Sequence, residues 1–318
     1  MKRLAVIIAV LAGCATDFED PSIVLDLRVL GVRATPPEVV VPIDLNDTFA
    51  LAAIEIPDVE VCALVADPGA SRELSFELTL CAPTTSGRCD DPDATRVPLA
   101  ADHMPDPDEA ADERLACGTI AGDASLWDVL GESLRADNLA GFGGIGVQVE
   151  ISIAGGDGER IVATKRVLYS PQIPESRVAN ENPALDAILV DGRAVEPGRC
   201  ADDRVAGVRV SAGQAVELLP VEAPDARESY VLPTFDGGER QFVENIVYAW
   251  FAGAGEWLLE TTGGPVDPFG NAPPLESTWT APDELGRGGS VDIWVVARDE
   301  RGGAVWSSIC VRHHEETP

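Results

Sequence analysis

Six cysteines, Cys62, Cys81, Cys89, Cys117, Cys200 and Cys310, carry the most definite chemistry in the chain. Even in number and widely spread, they suit disulfides in an oxidising compartment. Six cysteines allow 15 pairings, and strand geometry narrows them. In Leu74 to Cys81 the apolar residues alternate, which sets Cys81 at a strand end, in reach of Cys89 across the polar loop 82–88. Cys62 then pairs with Cys117, and Cys200 with Cys310. Zinc is the weaker reading, because no C-x-x-C pair occurs and His103, His313 and His314 do not join the cysteines at ligand spacing. Those three histidines are also a poor supply of base for a Ser-His-Asp hydrolase, two of them lying in a C-terminal stretch that reads as solvated tail. Carboxylates are abundant, 54 against 23 basic residues, so a two-carboxylate glycosidase is the least implausible enzyme. Nine of them crowd residues 89–113 beside Arg96, with Asp106, Asp108 and Asp112 as weak calcium candidates. An EF-hand begun at Asp106 needs an acid or amide at 110 and glycine at 111, where Ala110 and Ala111 stand. The expectation is a solvated acidic loop, with neither bound calcium nor any other cofactor.

Aromatic residues offer a binding chemistry instead. Trp250, Trp257, Trp279, Trp294 and Trp306 all fall in the second half, leaving Trp127 alone in the first. Strand alternation sets Trp294 beside Asp292 and Arg298, and Trp306 beside Ser308, Cys310 and Arg312, opposite the aliphatic faces. Facing outward, Trp294 and Trp306 would form a flat ligand platform for sugar rings or a protein partner; the competing reading is packing between domains. Lys2 and Lys165 are the only lysines, and Lys165 follows no glycine-rich loop, so neither a P-loop nor a Schiff base fits.

The elements that position these residues begin with a leader. Met1-Lys2-Arg3 is basic, residues 4–12 are apolar, and Leu11-Ala12-Gly13-Cys14 follows. That layout reads as a signal peptide over 1–13, its apolar run being far short of a membrane span. The tetrapeptide resembles the lipobox of bacterial lipoproteins, which implies cleavage before Cys14 and acylation of its thiol. Ala15 after that cysteine implies sorting to the outer membrane or cell surface. Residues 14–23 then read as a lipidated tether.

With 318 residues, 45% hydrophobic and 24% charged, the chain has room for two domains with separate cores. A formal charge of −31 repels phosphate backbones, which excludes nucleic acid. The alternating runs 59–65, 74–80, 145–154 and 161–168, with a helix over 125–135 capped by Asp123, predict a first sandwich over 24–170. Prolines mark a linker over 171–183. Strands over 187–190, 214–219, 244–251, 291–298 and 304–312 predict a second sandwich over 184–312, ahead of a 313–318 tail. The expected fold is all-β, two antiparallel sandwiches in tandem.

The blocks Tyr248 to Gly255, Thr278 to Pro282 and Val291 to Gly303 resemble, in their order, bacterial immunoglobulin-like and polycystic-kidney-disease-like domains. Leu27 to Glu38 with Cys62 to Pro68 resembles the opening of myxobacterial surface lipoproteins. These resemblances imply an immunoglobulin-like sandwich at the cell surface and no catalytic residues. The expectation is a lipid-anchored envelope protein that binds or spaces, touching the membrane only through its anchor, with an envelope protein or carbohydrate as partner. A glycosidase and a calcium-dependent adhesion module are the alternatives.

Overall fold

The computed structural model describes residues 20–41, 54–68, 72–101, 114–156, 158–202, 204–234, 236–285 and 289–314. They form two β-sandwiches in tandem. The first holds β1 (Arg28–Thr35), β2 (Glu38–Val41), β3 (Val59–Ala66), β4 (Leu74–Cys81), β5 (Arg96–Pro98), β6 (Ala100–Ala101), β7 (Leu115–Ile120), helix α1 (Ala124–Ala136), β8 (Ile145–Gly155) and β9 (Arg160–Pro171). One sheet runs β1-β3-β7-β6 and the other β2-β9-β8-β4-β5. Val59, Val61, Ala63 and Val65 of β3 alternate toward Leu74, Leu78 and Leu80 of β4 in a shared core. Helix α1 starts where the Asp123 carboxylate accepts from Ser125 N at 2.9 Å, and it buries Leu126, Val129 and Leu130 in the same core.

The second holds β10 (Leu185–Val190), β11 (Arg193–Val195), β12 (Val208–Val210), β13 (Ala215–Glu222), β14 (Ser229–Pro233), β15 (Glu239–Val243), β16 (Ile246–Ala252), β17 (Glu256–Trp257), β18 (Thr261–Gly263), β19 (Ser277–Thr280), β20 (Ser290–Asp299) and β21 (Ala304–His313). Its sheets run β11-β10-β13-β19-β17 and β12-β21-β20-β16-β18, with β14-β15 a separate hairpin. Pairing is antiparallel except for β2 with β9 and β12 with β21, which are parallel. Tyr248, Trp250 and Trp279 fill this core. The two buried indole N–H groups donate to Thr262 Oγ1 and Ala254 O, both at 2.9 Å. Gly255 has φ 98°, and a Cβ there would lie 2.4 Å from Trp279 Nε1, so the turn admits only glycine.

Three sequence boundaries shift. The expected tether ends in fixed structure, because Val24 N donates to Ala252 O at 2.8 Å and Ala252 N to Ser22 O at 2.9 Å, which binds residues 22–24 to the second sandwich. β1 starts at Arg28, leaving Leu25 56% exposed. The expected tail begins late, since His313 belongs to β21 and His314 N donates to Val210 O at 2.9 Å.

Candidate functional site

The two sandwiches meet along a seam with a core of its own. β3 turns Cys62, Leu64 and Ala66 away from the first core, β20 turns Trp294 and Val296 away from the second, and Trp306 of β21 joins them. Trp294 is 4% exposed and Trp306 8%, so the expected outward platform does not exist; interdomain packing takes the rings. The physical reason is close approach of two sheets, since a Cβ on Gly31 would sit 3.0 Å from Val296 Cγ1 and 3.5 Å from the Trp306 ring. The Arg33 guanidinium stacks 4.7 Å from the Trp306 centroid. A sequence signal was present, for β3 is apolar on both alternating faces from Val61 to Ala66, the mark of a strand buried twice.

A polar network continues the seam. Glu38 of β2, 1% exposed, accepts from Arg177 at 2.7 and 3.2 Å, from Asn180 N at 2.9 Å and from Arg301 at 2.6 Å. Three parts of the chain thus converge on one carboxylate: the first sandwich, the linker and the β20–β21 turn. Burial pushes the Glu38 carboxyl up, but bonds from Ser170, Arg177 and Asn180 outweigh it and hold the pKa below the ordinary value. Glu244 goes the other way, pushed up to about 7 by burial and by the Asp299 charge. The linker is therefore built into the structure through Arg177 and Asn180, both buried.

Disulfides join Cys62 to Cys117, Cys81 to Cys89 and Cys200 to Cys310, with Cα separations of 4.1, 5.7 and 4.7 Å. The first links directly paired positions of β3 and β7. Among the described residues, the grouping with metal-ligand proximity is Glu60 with Cys62 and Cys117, whose sulfurs are already bonded to each other. Cys14 and the calcium candidates Asp106, Asp108 and Asp112 lie outside the described residues.

The third disulfide straps the loop 196–205 over β20 and β21. Gly198 N donates to Ser308 O at 2.8 Å, and the Asp292 carboxylate accepts from Cys200 N at 2.6 Å. Between strap and strand lies an open concavity of about 500 Å³, lined by Glu196, Asp202, Arg204, Ser307, Ser308 and an edge of Trp306 among others. Asp202 is held by its neighbour, its oxygens accepting from Arg204 Nε at 2.9 and 3.1 Å and Nη2 at 2.7 Å. A carboxylate so clamped is a fixed acceptor and a poor proton shuttle. Hydroxyls, an aromatic edge and an Arg–Asp pair make a surface for polar, hydroxyl-rich ligands. Sequence spacing could not show it, because Asp202 and Ser308 are brought together only by the strap.

One exposed feature also escaped the sequence reading. In the connection from β17 to β19, Leu258 is 75%, Val266 60% and Phe269 90% exposed. The Asp267 carboxylate accepts from Phe269 N at 2.8 Å and Asn271 N at 2.9 Å, which fixes the turn that carries the phenyl ring.

No protein-family model matches the chain, and no curated protein is similar to it in sequence. Among solved structures it is similar to a DUF4785 family protein of Legionella pneumophila, at 10% identity over 86% of this chain and 54% of that one, with a TM-score of 0.24. It is also similar to the N-terminal Ig1-2 module of the Drosophila receptor protein tyrosine phosphatase DLAR, at 8% identity over 91% of this chain and 100% of that one, TM-score 0.24. A 1.5-MDa bacterial ice-binding adhesin is similar at 12% identity over 81% of this chain and 57% of that one, TM-score 0.18. The chain thus spans little more than half the length of the solved Legionella chain and of the solved chain of the adhesin. Likeness at these scores carries no function across.

Proposed function

We propose that the protein is an exported, non-catalytic binding component of the cell envelope, anchored by lipid on Cys14 and presenting the concavity beside Trp306 to a hydroxyl-rich ligand, a carbohydrate above all. The observation that carries the reading is the strapped concavity itself. Its polar atoms are fixed by a disulfide and an Arg–Asp clamp, which suits recognition, where preorganisation lowers the ordering cost of binding. Three disulfides support an oxidising compartment. The acidic surface keeps the protein soluble and away from anionic polymers.

The binding reading is tested with the mature soluble chain on a panel of neutral envelope oligosaccharides by calorimetry. Arg204→Ala, which unclamps Asp202 at the rim, should weaken a binding oligosaccharide at least tenfold. Release of reducing ends during incubation would overturn the non-catalytic reading in favour of a glycosidase, and no binding across the panel would overturn the carbohydrate assignment. For the anchor, Cys14→Ser should move the protein from the membrane to the soluble fraction; acylated membrane-bound variant would refute it.

A further inference from the structure

The chain has two lysines, and the one in the folded body is in an unexpected place. Lys165 of β9 lines a pocket of about 270 Å³ at the seam, walled by residues 29–32 of β1 on one side and by Arg298, Asp299, Gly302 and Gly303 on the other. Lys165 Nζ donates to Gly302 O across the seam, and Arg298 Nη2 donates to Leu30 O at 2.7 Å in the opposite direction. Each thereby commits one donor to a backbone carbonyl, and the others find no acceptor among the described residues.

Neither cation has a carboxylate within ion-pair distance among the described residues, whereas Arg72, Arg114, Arg177, Arg227 and Arg301 each have one. Asp299 shares the pocket, but its carboxylate accepts from Arg301 N at 2.8 Å, Gly303 N at 2.7 Å and Asn180 Nδ2 at 3.3 Å. Two half-buried positive charges against one engaged negative charge leave the pocket cationic in a chain of −31. Partly desolvated charge without a counter-charge is costly, and 54 carboxylates were available to supply one. The strain registers on Lys165, whose ammonium is lowered to about 8 by burial, with Arg298 adding to the fall and Asp299 opposing it.

We propose that the seam pocket binds a small oxyanion between Lys165 of the first sandwich and Arg298 of the second. An ammonium point charge beside a guanidinium fork is the usual donor set for carboxylate, sulfate or phosphate oxygens. The acidic exterior excludes polyanions, and at roughly 30 Å³ per water the pocket has room for one oxyanion with a few carbons behind it. Bonded to both halves, the anion would tighten the seam.

The test uses the intact mature chain, with sulfate, phosphate, acetate and glucuronate titrated at constant ionic strength against sodium chloride. Calorimetry and melting temperature should both show saturable one-to-one binding, lost at least tenfold in Lys165→Met and unchanged in Phe269→Ser, an exposed change outside the pocket. Preference for sulfate over acetate assigns a tetrahedral oxyanion, and the reverse a carboxylate. Sulfate does not titrate between pH 6.5 and 9.5, so its affinity in the wild type should fall as Lys165 loses its proton above about 8. Arg298 and Asp299 are the other charged groups of the wall, and β1 contributes no ionisable group to it. This arm needs no variant, which keeps the proposal open to refutation if Lys165→Met does not fold. A response no larger than that of chloride, or saturable binding indifferent to both pH and Lys165→Met, overturns it.

Discussion

Replacing Glu38→Gln should loosen the seam more than any other single isosteric change. The carboxylate is 1% exposed and accepts four hydrogen bonds, two from Arg177 and one each from Asn180 N and Arg301. An amide keeps the shape but turns one acceptor into a donor that faces other donors, and it leaves the buried Arg177 guanidinium short of its counter-charge, while Arg301 keeps Glu228 and Glu244. Breaking a buried pair from one side costs about 3–5 kcal/mol, and the retained amide oxygen points to the lower end, about 3 kcal/mol. For a body of this size that is a fall in melting temperature of about 6–12 °C. Scanning calorimetry on the mature chain at pH 7 measures it. The pH dependence follows from the depressed folded pKa: the carboxylate's contribution is complete above the unfolded value near 4.5 and is lost as pH falls through the folded value. The gap between wild type and variant should therefore close in acid. Replacing Glu38→Leu together with Arg177→Met should recover much of the loss, because that pair then leaves no charge stranded while Arg301 keeps Glu228 and Glu244. A shift below about 2 °C for Glu38→Gln, against the 6–12 °C expected from the size scaling, would show that water solvates the junction and refute the reasoning.

Glu244 carries the opposite pH sign. Its folded pKa is raised to about 7 against an unfolded value near 4.5, so its protonation stabilises the fold below about 4.5, and that contribution is lost as pH rises through 7. Glu244→Gln should accordingly gain on the wild type between pH 5 and pH 8 in melting scans, and a constant difference would contradict the raised value. Removing the strap with Cys200→Ser and Cys310→Ser opens a loop of 110 residues and should cost on the order of 4–5 kcal/mol in denaturant titration by the chain-entropy account; a loss under ~1 kcal/mol would count against it. Phe269→Ser should leave stability within about 0.5 kcal/mol, since surface changes rarely exceed that, while lowering the uptake of a hydrophobic dye. Marked destabilisation there would mean that the ring is packed in solution.

The sequence by itself determined what depends on near neighbours. The alternation of Val59, Val61, Ala63 and Val65, the hairpin of 145–168, the Asp123 cap and the even cysteine set all act over a few residues or through elementary strand geometry, and they specify an all-β body with one helix. Alternation reports that a strand has two faces, but it does not say what covers the second one. Trp294 and Trp306 looked outward for that reason, and only the docking of two sheets decided that they face Leu30 and Leu64. The same holds for charge. Arg301 and Glu38 are separated by 263 positions and Lys165 and Gly302 by 137, and each meeting is set by how one whole sandwich seats on the other. Composition fixed the sign of the protein's long-range field, because charges sum wherever they sit. The seam pocket is locally cationic because tertiary structure brought Lys165 and Arg298 together beside a carboxylate, Asp299, that is already engaged by Arg301 N and Gly303 N.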